Sequence, residues 1–440
     1  MTNKNLITIL LLIIGQLAIA QNFDTTKLDK YFKTLEENNK FMGSVAISKN
    51  GKIIYTKSIG YADIENNIKA SEKTKYRIGS ISKSFTAVLV LKAIEENKLD
   101  LSQTIDKWFP KVTKAKAITV KQLLSHRSGI HNFTNDEDYL TWSTEPKTEK
   151  EMLKIITKGG SDFEPNSKAE YSNSNYVLLS YIIQKVFSSS YADLIQEYIA
   201  NPLKLKSTYV FGKINTANNE AKSYRFLGKW KLETETDFSV PLGAGALVST
   251  PIDLTKFSDA LFAGKLLTPE SLELMKTIED GYGIGLFQIP FNDRIGFGHT
   301  GGIDGFSAVY SHFPKDTLSY ALTSNGANIN TNNISLAVLS AVYNKSYDIP
   351  TFTNIELNSE ELDQYLGVYS SDQIALKITI TKDGNTLIAQ GTGQPPFPLE
   401  ATEKNKFKFD QAGAKFEFNP SDNTMILIQG GGEIKFTKGE

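Results

Sequence analysis

A chain of 440 residues that is 40% hydrophobic and 22% charged, with 48 basic against 49 acidic side chains and a net charge of -1, is neither disordered nor fibrous. It also lacks the basic field that draws phosphate backbones, so nucleic acid is not an expected partner. At roughly 150 residues per domain the length predicts two or three units, and with no cysteine their stability rests on core burial rather than on disulfides.

The chain opens MTNKNLITILLLIIGQLAIAQ, with Lys4, a mostly apolar run from Leu6 to Ile14 and small residues at Ala18 and Ala20. This reads as a secretory signal over residues 1–20, cut after Ala20, because the apolar run falls short of the ~20 residues that span a bilayer. An exported protein, periplasmic or extracellular, is therefore expected. Two strand-like runs, Gly43–Lys49 and Lys52–Ser58, flank Asn50 and Gly51, a strong hairpin signal near the mature N-terminus.

Next comes RIGSISKSFT, Arg77–Thr86, where a glycine-containing approach meets an apolar helical period running from Ile81 to Leu99. Ser80 and Lys83 fall three apart, on one face of a first turn, so the amine reaches the hydroxyl. Read alone, the pair is either a capping serine with a surface lysine, or a nucleophile with its base. The second reading requires burial or a neighbouring cation to lower the lysine pKa. Ser82 and Ser84 read as ordinary helix residues.

The middle, about 100 to 280, is mostly helical with long loops. There Tyr171 and Asn173 stand in a Y-S-N triplet at the start of the helical pattern Tyr176–Val186. His126, in LLSHRSGI, reads as structural. Phe297–Gly302 holds a His299-Thr300-Gly301 triplet ahead of late strands around FSAVYSHF and TLSYALTSN, followed by a helix from Ile334 to Tyr343. Beyond Pro350, segments 362–369, 376–381, 387–390, 407–409, 416–418 and 425–429 read as short antiparallel strands of a separate domain. No H-E-x-x-H or other zinc spacing occurs, and GYGIG at 281–285 lacks the lysine of a phosphate loop, so no metal and no cofactor are expected.

Taken in order, Ser80-x-x-Lys83, Tyr171-x-Asn173 and His299-Thr300-Gly301 resemble the three-motif signature of penicillin-recognising serine hydrolases. The resemblance is to the branch of class C β-lactamases, DD-peptidases, D-aminopeptidases and related esterases. LLSHRSGI and GAGALVSTPIDLTKF (Gly243–Phe257) also resemble segments of that branch, and the resemblance spans about residues 25–345.

It implies an α+β fold, a β-lactamase/transpeptidase-like lobe over 21–345 in which an antiparallel sheet packs on a helical lobe. A C-terminal all-β domain, lipocalin-like or barrel-like, follows over 351–440. It further implies Ser80 as acylating nucleophile, Lys83 as its proton acceptor and Tyr171 as proton shuttle, its phenol a useful base at neutral pH only if the lysine cation or a similar charge lowers its pKa. Asn173, His299 and Thr300 are implied in substrate binding, and the backbone N–H groups of Ser80 and Gly302 in an oxyanion hole.

β-Lactamases of this branch carry lysine where His299 stands, so the implied activity is of DD-peptidase, D-aminopeptidase or esterase type on peptides or esters. A class C-like β-lactamase and a non-catalytic penicillin- or peptide-binding protein are the alternatives. The partner is in each case a small molecule or peptide, and the oligomeric state is not legible.

Overall fold

The computed structural model describes residues 24–352, 355 and 357–439, and the expected signal sequence lies outside them. Six antiparallel strands form the main sheet: β1 (Phe41–Lys49), β2 (Lys52–Ile59), β3 (Phe287–Phe291), β4 (Arg294–Ile303), β5 (Phe306–Phe313) and β6 (Leu318–Ala327), in the order β3-β4-β5-β6-β1-β2. The β1–β2 hairpin turns at Asn50 and Gly51, both at positive φ, 52° and 72°, which a two-residue turn matched to strand twist requires.

β1 and β6 are buried along nearly their whole length, because both faces of the sheet are covered. On one face α1 (Thr25–Glu37) and α5 (Thr331–Val342) bring Leu28, Phe32, Ile334 and Val338 against Val45, Ile47 and Leu322. On the other, α4 (Pro251–Phe262) brings Leu254 and Phe257 against Tyr310 and Ala321. That second core continues into the helical lobe around α2 (Ser82–Glu95) and α3 (Asn173–Phe187). Both helices bury residues on every side, as helices central to a core do.

The chain from Gly367 onward closes into an eight-stranded antiparallel barrel: β7 (Gly367–Ser370), β8 (Lys377–Asp383), β9 (Thr386–Gly391), β10 (Phe397–Glu403), β11 (Lys406–Phe409), β12 (Ala414–Asn419), β13 (Thr424–Gln429) and β14 (Gly432–Lys438). Pairing of Tyr369 with Lys438 closes it, and Leu362, Tyr365, Phe407, Phe418, Met425 and Phe436 fill much of the interior. The barrel sits against the hydrolase lobe. Glu400 pairs with the buried Lys40 and accepts from Asn328 at 2.6 Å, and Asp383 pairs with Lys231 at 2.7 Å.

Local chemistry shifts several expected boundaries. The helix expected over 81–99 starts as a 3-10 turn at Gly79–Ile81 and ends at Glu95, with Asn97 left-handed (φ 57°). The segment expected as a strand from 362 begins helical because Asn358 and Glu361 form a capping box over Ser359–Leu362, and pairing starts only at Gly367. β10 follows Pro395 and Pro396 and contains Pro398, residues that argue against a strand.

Candidate active site

Ser80 lies in the 3-10 turn that feeds α2, and Lys83 one turn further on is fully buried. Lys83 Nζ stands 3.0 Å from Ser80 Oγ, 2.8 Å from Asn173 Oδ1 and 2.8 Å from the carbonyl oxygen of Ala244. Burial holds its pKa well below the ordinary lysine value. A neutral amine has two N–H donors, which Asn173 and Ala244 accept, and one lone pair, which is left for the proton of Ser80. The surface-lysine reading is thereby excluded.

Asn173 opens α3, and its neighbours fix its orientation: its Nδ2 donates to Thr134 Oγ1 at 3.0 Å and its backbone N–H to Asn132 Oδ1 at 3.0 Å. The Oδ1 therefore faces Lys83. Tyr171 lies beside both, with its phenol hydrogen-bonded to Ser80 and its ring under Lys83 Nζ at 4.8 Å. Burial raises the Tyr171 pKa, with the bond to Ser80 only partly opposing it. The resting group is therefore a phenol.

The backbone of β4 completes the pocket. Ile303 and Phe306 close a two-residue turn, so the next pair, Gly302 with Ser307, turns its backbone groups outward. That outward edge is free beyond the end of β3, which pairs only as far as Gly298. The Ser80 turn occupies it: a Cβ on Gly79, which has φ 49°, would lie 2.7–2.9 Å from Gly302 backbone atoms, and one on Gly301 would lie 2.0 Å from the Ile78 carbonyl oxygen. Only glycine admits this approach. It sets the Ser80 and Gly302 peptides side by side at the N-terminal end of α2, where N–H groups and the helix dipole favour developing negative charge.

The two serines expected to be ordinary pin this arrangement. Ser82 Oγ donates to the Gly79 carbonyl at 2.7 Å and accepts from Leu247 N–H at 3.1 Å. Ser84 Oγ donates to the Gly285 carbonyl at 2.6 Å and lies 2.8 Å from Tyr310 Oη.

His126 also has a part that its sequence context does not reveal. It is buried and left-handed (φ 58°), its ring packs tilted against Tyr171 at 4.5 Å, and its Nδ1 accepts from Ser172 N–H at 3.2 Å. It positions the tyrosine. Asn132 and Thr134 stand at no diagnostic spacing from the three motifs, and only the loop's packing brings them to Asn173.

His299 is buried beneath the pocket, against Phe287 at 4.5 Å, with Nδ1 2.5 Å from the Thr300 carbonyl. Burial first, and the neighbouring Lys83 second, lower its pKa to about 3. It offers a substrate no cation. Thr300 is exposed on the same strand. The cleft itself, about 260 Å³, is lined by Ser80, Asn173, Gly302, Ile303, Phe133 and Tyr139, with Arg225, Glu233 and Asp304 among its charged walls. Arg225 Nε pairs with Glu233 at 2.8 Å, and buried Arg77 pairs with Asp304 and Glu235, each at 2.9 Å.

A family model described as beta-lactamase matches residues 28–344. The teichoic acid D-alanine hydrolase of Staphylococcus aureus is 30% identical over 297 residues, which make up 65% of this chain and 70% of that protein. Among solved structures, D-amino acid amidase from Ochrobactrum anthropi SV3 matches with a TM-score of 0.62 at 27% identity, covering 72% of this chain and 99% of its own. The octameric penicillin-binding protein homologue from Pyrococcus abyssi shares the fold over 94% of this chain and 100% of its own, the barrel included, with a TM-score of 0.65 at 24% identity.

Proposed function

We propose, since the chain belongs to the β-lactamase family, that it is a serine hydrolase releasing D-amino acids from esters or amides through an acyl-enzyme on Ser80. In the first step Lys83 takes the Ser80 proton as Oγ attacks the carbonyl carbon, and the Ser80 and Gly302 N–H groups hold the oxyanion. The tetrahedral species collapses with a proton passed through Tyr171 to the departing alcohol or amine. Water then attacks the acyl-enzyme, giving its proton to the same relay, and the D-amino acid leaves with Ser80 restored.

The observation that carries the substrate class is the charge of the cleft. Burial lowers the pKa of both Lys83 and His299, and Arg225, the arginine of its walls, is already paired with Glu233. A β-lactam or a peptide ending in a free carboxylate finds no unpaired arginine on these walls. An ammonium-bearing D-aminoacyl group meets walls where Glu233 and Asp304 outnumber Arg225. Relatives named for D-alanine and D-amino acid substrates support the same substrate class.

The test is a panel of D-alanyl p-nitroanilide, its N-acetyl form, the L-isomer and nitrocefin, with mass spectrometry of the trapped adduct. Turnover of the free D-alanyl compound is expected, at least ~10-fold better by kcat/KM than its N-acetyl form, with label on Ser80. Nitrocefin as the best substrate, or label elsewhere, defeats the reading. Export belongs to the same proposal, resting on the apolar run Leu6–Ile14 and the small residues before Gln21. Secreted protein whose N-terminal sequence begins at Gln21 is the expected result.

A further inference from the structure

The C-terminal barrel has an open mouth that the proposed hydrolysis does not use. Its deeper interior is closed by Tyr365, Phe407, Phe418 and Met425, but at the end facing the hydrolase lobe a cavity of about 450 Å³ remains. Leu376, Ile378, Phe397, Phe409, Phe416 and Leu427 make its apolar wall, and Phe397 and Phe409 stack at 4.4 Å.

The rim is polar and amide-rich, with Gln394, Gln411 and Gln429. One lip runs Gln394-Pro395-Pro396-Phe397-Pro398, where three proline rings fix φ and hold the opening preformed. An eight-stranded barrel is just wide enough for one small ligand, and apolar depth under a few hydrogen-bonding groups is the make-up of a small-molecule site.

The far wall comes from the hydrolase lobe. Arg225 and Phe226, in the hairpin Tyr224–Phe226 with Trp230–Leu232, line the barrel cavity. Arg225 also lines the catalytic cleft and the groove between the two, a groove bounded by Asp304 on the cleft side and Gln411 on the barrel side.

We propose that the barrel mouth is a binding site for an amphiphile, its linear alkyl chain lying among Leu376, Phe397, Phe409 and Leu427 and its polar head among the rim glutamines, on a path that leads past Arg225 to the catalytic cleft. This goes beyond the hydrolytic reading and does not depend on it.

The experiment is a fluorescence titration of the full chain with 11-(dansylamino)undecanoic acid, then displacement by alkanoates of six to twelve carbons. One saturable site per chain is expected, with competition tightening roughly two- to four-fold per added methylene. Ala412→Trp and Gln429→Trp, both at exposed positions on the rim, are each expected to weaken binding at least ten-fold with circular dichroism and hydrolysis of a short ester unchanged. No saturable binding overturns the proposal, and so does binding indifferent to chain length or to whichever rim variant folds. The titration needs no turnover, so failure here is distinct from failure of the hydrolytic reading.

Discussion

The N-terminal half of α2 and the barrel bury side chains by opposite rules. In α2 the polar residues Ser82, Lys83, Ser84 and Thr86 are fully buried beside Phe85, Ala87 and Val88. Each of the four polar groups has hydrogen-bond partners on elements distant in sequence. In the barrel the alternation is regular: β12 reads buried, exposed, buried from Ala414 to Phe416, and its core is aliphatic and aromatic. Where that alternation is kept, the barrel strands follow from pattern alone. The helix carries a network whose groups are buried at a cost and are tolerated because each is satisfied. Stability and reactivity are thus separated in space.

That separation is open to attack, most severely at Lys83. Lys83→Met removes the base while preserving much of the volume, and kcat should fall by roughly 10³-fold or more. The barrel's binding and the far-ultraviolet spectrum should not change; a loss of both together would show the two regions to be one unit. In the wild type the acid limb of kcat/KM should follow Lys83, activity being lost as pH falls through its lowered pKa.

A pair of glycine variants gives a smaller effect. Gly79→Ala forces a Cβ onto the Gly302 backbone at a left-handed position, whereas a Cβ on Gly302 meets nothing nearer than the Phe306 carbonyl oxygen at 3.8 Å. Gly79→Ala should lower kcat by about 10²-fold, the scale of losing one oxyanion donor, and Gly302→Ala much less. Equal losses would show that the side-by-side placement of the two peptides is not what matters.

The mildest test is pH. All four histidines, His126, His131, His299 and His312, lie in the hydrolase lobe and none in the barrel. Burial lowers His126 well below its ordinary value, His299 to about 3 and His312 to about 4. Unfolded, each takes up a proton near 6.5; folded, each resists. Stability is therefore present at neutral pH and lost as pH falls from ~6.5, at about 1.4 kcal/mol per pH unit for each such histidine. His131 opposes the trend: burial lowers its pKa, but Asp162 and Asp136 outweigh that and raise it. Denaturant unfolding at pH 7 and pH 5 should show the hydrolase transition moving and any separate barrel transition moving less.

The three motifs, the early hairpin and the two-part architecture were legible because each is written locally, in a turn dipeptide, a period or a short spacing. The orientation of Asn173 by Asn132 and Thr134 was not, nor was the service of His126 under Tyr171. These contacts depend on how a long loop packs, and no spacing encodes that. The raised pKa of Tyr171 was not legible either, because it comes first from burial, which no spacing encodes. In the barrel, Pro398 hid β10, and the sparse apolar content of β14, Ile434 and Phe436 alone, hid the closing strand.

The contact of Gly79 with Gly302 has a consequence for how such a protein can change. The proposed oxyanion pocket is built from peptide groups pressed together where Gly79 and Gly301 leave no room for a side chain, so substitution at these two has no lever on its strength, only the ability to ruin it. Divergence of substrate preference is then confined to the borders of the cleft, where Phe133, Tyr139, Arg225 and Glu233 stand. Acquiring a new substrate should therefore replace these residues and leave the glycines untouched.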